Sequence, residues 1–377
     1  MSAAAALALP AAPRILVRGV NWLGDAVMTT PALLRLREHF PAAHITLLTA
    51  GKIGALWQHH PAVNEVISFA AEDSVFAVGK KLRAGHFDLA LVLPNSPRSA
   101  LEPFLARIPQ RIGYARPWRN LLLTQAIPSR PGAVKMHKRT PAEVRQLIAV
   151  TPPVPVTPPP PAAHQIYEYL HLVAALGANP EPVPPRLEVT PAELEAARQK
   201  FGLTNSPGLV LGLNPGAEYG PAKRWPADKF AAAAKAIQQR TGCTWLIFGG
   251  KNDLPLATQI QSALGPASAA ALNVAGQTSL RELMALLRLC QVLLTNDTGP
   301  MHVAAALGTP VVVPFGSTSP ELTGPGLPGD PRHRLLRSAV PCAPCFLREC
   351  PIDFRCLNGI TVESVVQVVV EILRQTP

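Results

Sequence analysis

The residues most able to do chemistry lie in "LLTNDTGPMHVAAALGTPVVVPFGSTSP" (Leu293–Pro320), where a buried strand ends at Asn296-Asp297 and Thr298-Gly299 open the next helix. In an open α/β sheet this strand-to-helix turn lies at the carboxyl edge, where ligands bind. Free backbone N–H groups and the positive end of the helix dipole favour a phosphate there. Gly299 allows close approach to a pyrophosphate, Thr298 adds a hydroxyl donor, and His302 sits in the first helical turn. The plainer reading, in which Asp297 or Thr298 caps the helix, is compatible with phosphate binding.

A second segment, "NPGAEYGPAKRWP" (Asn214–Pro226), follows another buried strand and sets Lys223 and Arg224 just before a helix. Cations at a loop tip beside exposed amides suit a diphosphate; the bland alternative is a solvated basic loop. Trp225 tilts the balance, because a large aromatic in a loop usually packs on something. The segment is not a Walker motif, since Gly216 and Gly220 lack the spacing to a Lys-Ser/Thr pair. In "NWLGDAVMTTPAL" (Asn21–Leu33), Asp25 stands at the amino end of the first helix, placed for general-base work. Acidic residues near helix starts are common, so this signal is weak alone. Cys342, Cys345, Cys350 and Cys356 crowd into "CAPCFLRECPIDFRC". Their spacing admits a four-cysteine metal site, though the gap between pairs is short; reduced thiols or a local disulfide are the other readings. Neither H-E-x-x-H nor G-x-S-x-G occurs, which removes zinc-protease and serine-hydrolase readings.

The elements that would position these residues alternate strand and helix. "RILVRGV", "ITLLTA", "EVISF" and "DLALVLP" are short apolar strands with helical segments among them, and the pattern restarts at "GLVLGLNPG". Such alternation predicts parallel sheets, and 377 residues suit two domains. We place them at 1–190 and 191–377, with a cleft between them and a final helix over 361–376 that would be able to pack back on the first domain. The proline-rich run Thr151–Pro161 reads as a surface loop, because "HQIYEYLHLVAALG" after it resumes a helical pattern.

Lys and Arg exceed Asp and Glu by 11, which suits a polyanionic partner or reflects compositional drift. Nucleic acid is disfavoured, because the basic residues are scattered and aromatics are few. A dinucleotide-binding enzyme is disfavoured too: "NWLGDA" holds no G-x-G-x-x-G, and the second strand ends "LLTAGK" without an acid. The start "MSAAAALALPAAPRILV" has no cation before Arg14 and is broken by Pro10 and Pro13, so it reads as a frayed tail rather than a signal peptide. No run of about 18 apolar residues occurs, so membrane contact is expected to be peripheral.

The four segments "NWLGDAVMTTPAL", "NPGAEYGPAKRWP", "TNDTGPMHVAAALGTPVVVPFGSTSP" and "CAPCFLRECP", in this order, resemble the ADP-heptose:lipopolysaccharide heptosyltransferase family, glycosyltransferase family 9. The likeness is greatest to the members that add the second heptose. It implies a GT-B fold of two Rossmann-like domains. In that fold an amino-terminal domain takes the lipid A-core oligosaccharide acceptor and a carboxy-terminal one takes the ADP-heptose donor. It further implies inverting transfer of L-glycero-D-manno-heptose in the cytoplasm, at the inner face of the inner membrane. Asp25 would then be the base, with Lys223 on the diphosphate or sugar. Asn214, Gly216, Ala217, Arg224, Trp225, Asp297, Thr298, Gly299 and His302 would complete the donor site. That scheme needs no metal and no cofactor. A transferase for another core position and a non-catalytic sugar-nucleotide sensor are the alternatives.

Overall fold

A computed structural model describes residues 9–150, 157–204 and 208–375. The alanine-rich start up to residue 8, residues 151–156 of the proline run and Thr376 lie outside the described residues. The chain divides into two compact units, Met1–Ala133 with Ala162–Glu188, and Val134–Pro161 with Val189–Pro377.

In the first unit, strands β1 (Arg14–Arg18), β2 (His44–Ala50), β3 (Glu65–Phe69), β4 (Leu89–Val92), β5 (Gln110–Tyr114) and β6 (Gln125–Ile127) form one sheet. All pairings are parallel, in the order β3-β2-β1-β4-β5-β6. Helices α1 (Leu23–Met28), α2 (Thr30–His39), α3 (Val75–Arg83), α4 (Pro97–Leu105) and α6 (Ile166–Ala174) belong to this unit, and α5 (Pro141–Ala149) to the other. Strands covered on both faces read as unbroken apolar runs, which is why Leu89–Val92 is buried at every position. The strand order is that of a Rossmann fold, and its direction reverses at β1. A crevice therefore opens beyond the carboxyl end of β1, where the turn to Asp25 begins.

That turn is tied down by a buried ion pair. Arg18 closes β1, and its Nε lies 2.7 Å from Oε2 of Glu102 on α4, with side-chain exposures of 3% and 0%. The same guanidinium donates through Nη1 to Asn21 Oδ1 at 2.9 Å and stacks over the Phe69 ring at 4.6 Å.

In the second unit, β7 (Val210–Asn214), β8 (Thr244–Ile247), β9 (Ala271–Asn273), β10 (Val292–Thr295), β11 (Val311–Pro314) and β12 (Arg334–Leu336) form a parallel sheet in the order β12-β11-β10-β7-β8-β9. Around it lie α7 (Pro191–Lys200), α8 (Ala227–Thr241), α9 (Leu254–Ala263), α10 (Leu280–Leu289), α11 (Gly299–Ala306), α12 (Pro320–Thr323), α13 (Arg355–Asn358) and α14 (Val362–Gln375). Counting from β7, the order repeats that of the first sheet, so the second crevice opens beyond β7 and β10. Register aligns Asn214 with Thr295 at that edge.

The division into units departs from the sequence boundary at one stretch. Residues 134–161, assigned to the first domain from sequence, belong to the second unit. The backbone N–H of Arg139 donates to Cys345 O at 3.0 Å, and its Nη1 donates to Pro341 O at 3.1 Å. Val144 of α5 is buried with Cys342, Cys345 and Leu347. Helix α14 buries Val365, Val366, Val369 and Ile372 in the second unit's core with Phe230 and Trp225. Its apolar residues recur every three to four positions, and α8 supplies the facing groove.

The Arg18–Glu102 pair gives the first measurable consequence. Glu102→Ala leaves a buried guanidinium without its counter-charge and is expected to lower stability by about 3–5 kcal/mol, whereas the double change Arg18→Met, Glu102→Leu costs less. Urea unfolding of the three proteins measures both.

Candidate functional site

At the carboxyl end of the second sheet, three short segments converge. Asn214 ends β7 almost fully buried, and its Nδ2 donates to Thr295 Oγ1 at 3.0 Å and Thr298 Oγ1 at 3.2 Å. Asn296 works behind them: its Oδ1 accepts from the Trp225 N–H at 2.9 Å and its Nδ2 donates to Pro215 O at 2.7 Å. These bonds lock the loop after β7 onto the loop after β10.

Asp297 is 4% exposed, and both of its described partners meet the same oxygen. Lys223 Nζ approaches Oδ2 at 2.6 Å, and Thr318 Oγ1, from the loop after β11, donates to it at 2.6 Å. Asp297 therefore gathers a residue from each neighbouring loop and holds the Lys223 ammonium at the mouth of α11. Thr298 occupies the N-cap of α11 in extended conformation, and its side chain makes no capping bond. The first-turn amides of α11 are thus not capped by that hydroxyl, which removes the simple capping alternative for Thr298. Thr298 and Gly299 are part-exposed, whereas His302 is buried in the first turn. A cation beside a helix amino terminus at the crevice of a Rossmann sheet is an arrangement for a phosphorylated ligand.

Several expected site residues also serve the frame. Trp225 is 1% exposed, donates from Nε1 to Ile360 O at 3.2 Å and packs edge-on against Phe230 at 5.1 Å. Its ring is a wall of the core. Ala217 is likewise buried, and its carbonyl accepts from Arg224 Nη2 at 3.0 Å. The space beside Gly216 is filled by Asp253, whose carboxyl carbon would lie 2.5 Å from an added Cβ. Glycine there admits a neighbouring side chain, and a ligand need not be invoked.

The cysteine segment braces this site. Gly220 has φ +148°, and an added Cβ would fall 2.5 Å from Arg348 O; that carbonyl accepts from Ala222 N–H at 3.0 Å. Tyr219 donates through its hydroxyl to Phe346 O at 2.8 Å, while Lys223 Nζ and Arg348 Cζ lie 4.9 and 5.1 Å from its ring centre. Ser317 O accepts from the N–H groups of Cys345 and Phe346 at 3.0 and 2.7 Å. Cys342, Cys345, Cys350 and Cys356 line one small apolar cavity with Val144 and Ala222, and all four are free thiols. Burial raises the thiols of Cys342 and Cys345, and pushes Cys356 up to about 12 with help from the other three sulfurs. Among the described residues no group of three or more His, Cys, Asp or Glu side chains is arranged to hold a metal ion.

In the first unit, Asp25 lies in the first turn of α1, behind Trp22 at an N-cap without a side-chain bond. Its Oδ1 accepts from Gln165 Nε2 at 3.4 Å, and the same nitrogen donates to Tyr169 Oη at 2.8 Å. Tyr169 is buried, and burial together with the nearby Asp25 charge raises its phenol well above the usual range. Gln165 and Tyr169, like Thr318, Tyr219, Asn296 and Arg348, were not among the expected site residues. The Gln165 amide, held on the Tyr169 hydroxyl, is what meets the carboxylate of Asp25.

The Lys223–Asp297 pair yields a stability test independent of any ligand. Lys223→Met strands a buried carboxylate and is expected to cost about 3 kcal/mol, and adding Asp297→Asn is expected to recover most of it. Denaturant midpoints of the two single variants and the double variant give the coupling.

Comparison with known proteins places this geometry in a family. The family model for glycosyltransferase family 9 (heptosyltransferase) matches residues 142–354. The chain is 33% identical to the lipopolysaccharide heptosyltransferase 2 of Salmonella typhimurium over 83% of its length and 85% of that protein. It superposes on the structure of Escherichia coli ADP-heptose lps heptosyltransferase II with a TM-score of 0.76 at 29% identity, covering 96% of this chain and 99% of that one. A glycosyltransferase family 9 structure from Veillonella parvula gives a TM-score of 0.77 at 22% identity, over 97% and 98% of the two chains, and supports the fold alone. The chain therefore belongs to glycosyltransferase family 9, the heptosyltransferases, and has their GT-B fold of two Rossmann-like domains.

Proposed function

We propose that the chain transfers L-glycero-D-manno-heptose from ADP-heptose to the heptose already present on the lipid A-core oligosaccharide. Transfer would occur with inversion, in the cytoplasm, on acceptor held at the inner face of the inner membrane. The observation that carries the reading is Lys223, fixed on buried Asp297 beside the α11 amino terminus at the switch point of the second sheet. Its match to a donor diphosphate is supported by the 33% identity to a lipopolysaccharide heptosyltransferase 2.

In this mechanism Asp25 takes the proton from an acceptor hydroxyl as its oxygen attacks the anomeric carbon. The bond from that carbon to the diphosphate oxygen breaks in the same displacement, and ADP leaves with the electron pair. Lys223 and the amides of Thr298 and Gly299 meet the charge that develops on the leaving oxygen, which is where preorganised donors act most strongly. Arg224, exposed at the same loop, adds to the field. No protein-bound metal enters the scheme, and protein purified without added zinc is expected to carry only substoichiometric metal. No described helix is long and apolar enough to cross a membrane, so contact with the bilayer is peripheral in this reading.

The deciding assay is ADP release from ADP-heptose with core acceptors carrying one heptose or none. Release only with the one-heptose acceptor is expected; release with the heptose-free acceptor reassigns the step, and none with either leaves a sugar-nucleotide sensor. Asp25→Asn is expected to lower turnover by about 100- to 10,000-fold at unchanged donor affinity. Near-normal turnover in that variant removes Asp25 as the base.

A further inference from the structure

The first unit displays large apolar side chains that its own fold does not use. Trp118 is 87% exposed and Leu121 83%, both in the loop that joins β5 to β6, and Trp118 sits at φ +62°. A left-handed backbone at a bulky residue is uncommon and strained. The loop is nevertheless held firmly. Arg119, between those two residues, is fully buried; its Nη1 donates to Tyr114 O at 3.0 Å and Asn95 Oδ1 at 3.3 Å, and its Nη2 to Val92 O at 3.3 Å. Gly113 leaves the room, since an added Cβ there would lie 2.7 Å from Nη2. Asn120 Oδ1 closes the turn by accepting from the Arg116 N–H at 2.8 Å. A buried arginine thus clamps the loop to the ends of β4 and β5 while the indole beside it faces outward.

The same edge of the sheet carries more of this chemistry. Trp22, after β1, is 49% exposed with Lys52 Nζ 5.0 Å from its ring, and Phe76, after β3, is 70% exposed. Arg98 begins α4 beyond β4, Arg116 follows β5, and Arg130 follows β6. Strand order spreads Phe76, Trp22 and Trp118 over about 20 Å along one rim, at about 4.8 Å per strand. Acidic groups on this rim are Glu72, Asp73 and the candidate base Asp25, with Glu168 engaged by Arg130 at 3.2 Å.

We propose that this carboxyl-edge rim seats the first unit on an anionic bilayer, with Trp118 and Leu121 as the wedge that enters the headgroup layer. The inference rests on the reading above that the acceptor is a lipid. Tryptophan beside arginine or lysine is the pairing that membrane interfaces select, with the ring at headgroup level and the cation on phosphate. Seating by this rim would bring a lipid-borne sugar to the edge that carries Asp25.

The test uses the full chain and the variant Trp118→Ser, Leu121→Ser, which alters only exposed side chains. Sedimentation with phosphatidylglycerol–phosphatidylcholine vesicles is compared with pure phosphatidylcholine, alongside ADP release with a water-soluble, deacylated one-heptose acceptor. Wild-type protein is expected to bind the anionic vesicles and release them at high salt, the variant to bind at least about tenfold more weakly, and soluble-acceptor turnover to stay equal. Equal vesicle binding by the two proteins, or no anionic binding by wild type, overturns the proposal. So does a loss of soluble-acceptor turnover in the variant, which would assign the loop to the sugar. A wild-type dimer that the variant loses would make the loop a self-contact and overturn it likewise. Vesicle binding that behaves as expected in a protein without any turnover supports the rim and refutes the transferase reading alone.

Discussion

A carboxylate withdrawn from water must find its counter-charge and its donors within the protein, and Asp297 sets that condition for the second unit. Its Oδ2 is met by Lys223 and Thr318, which come from the loops after β7 and β11, while Asp297 itself follows β10. Three crossover connections are therefore drawn to one point. Asn214 and Asn296 reinforce the convergence, each bonding from one loop to the other. The cysteine segment then closes from outside, with Arg348 O on Ala222 and Ser317 O under Cys345 and Phe346. Lys223 reaches its place because every neighbouring loop is committed before a ligand arrives, and such preorganisation is what charge stabilisation requires.

The two sheets share one strand order, and both candidate groups follow from it. When a sheet winds outward from its first strand in both directions, the connections on either side part at that strand and leave an open end. Asp25 lies beyond β1, and the Asn214 loop lies beyond β7. The first unit adds a helix-borne pair, Gln165 and Tyr169, to hold its carboxylate. Asp25 follows its strand by a short turn, whereas Lys223 sits well along the connection from β7 to α8 and is held in place by Asp297.

Much of this was legible because parallel strands buried on both faces leave continuous apolar runs, such as Leu89–Val92 and Val311–Val313, and because turns after them hold chemically pointed residues. What escaped depends on distance along the chain. Residues 134–161 read as a helix-bearing stretch of the first domain, and nothing in them announces that Arg139 bonds Cys345 and Pro341 some 200 positions on. Thr318 and Tyr219 lay inside quoted segments but carry no signal apart from their partners. The cysteine spacing was visible, whereas the role of the segment as a brace rests on backbone carbonyls, which every residue type supplies.

Two tryptophans show why residue type underdetermines role. "RPWRN" and "KRWPA" are nearly the same chemistry, and only the second was expected from sequence to pack its ring on something. In the second, the indole of Trp225 goes inward, with its N–H on Ile360 O, and Arg224 stays at the surface. In the first, Arg119 goes inward to three oxygens at the ends of β4 and β5, and Trp118 is left outside. The difference lies in what the strand ends offer. Beyond β5, the absence of a side chain at Gly113 leaves room for the Arg119 guanidinium to reach the carbonyls of Val92 and Tyr114, which a buried indole with its single N–H would not both satisfy. Around Trp225, α8 and α14 supply an apolar wall, and Ile360 O accepts from the indole N–H at 3.2 Å and from Lys229 Nζ at 3.0 Å. At the β4 and β5 ends the oxygens that need a donor thus take the guanidinium inward and leave the adjacent indole at the surface, whereas beside Trp225 an apolar wall takes the ring and Lys229 shares the carbonyl.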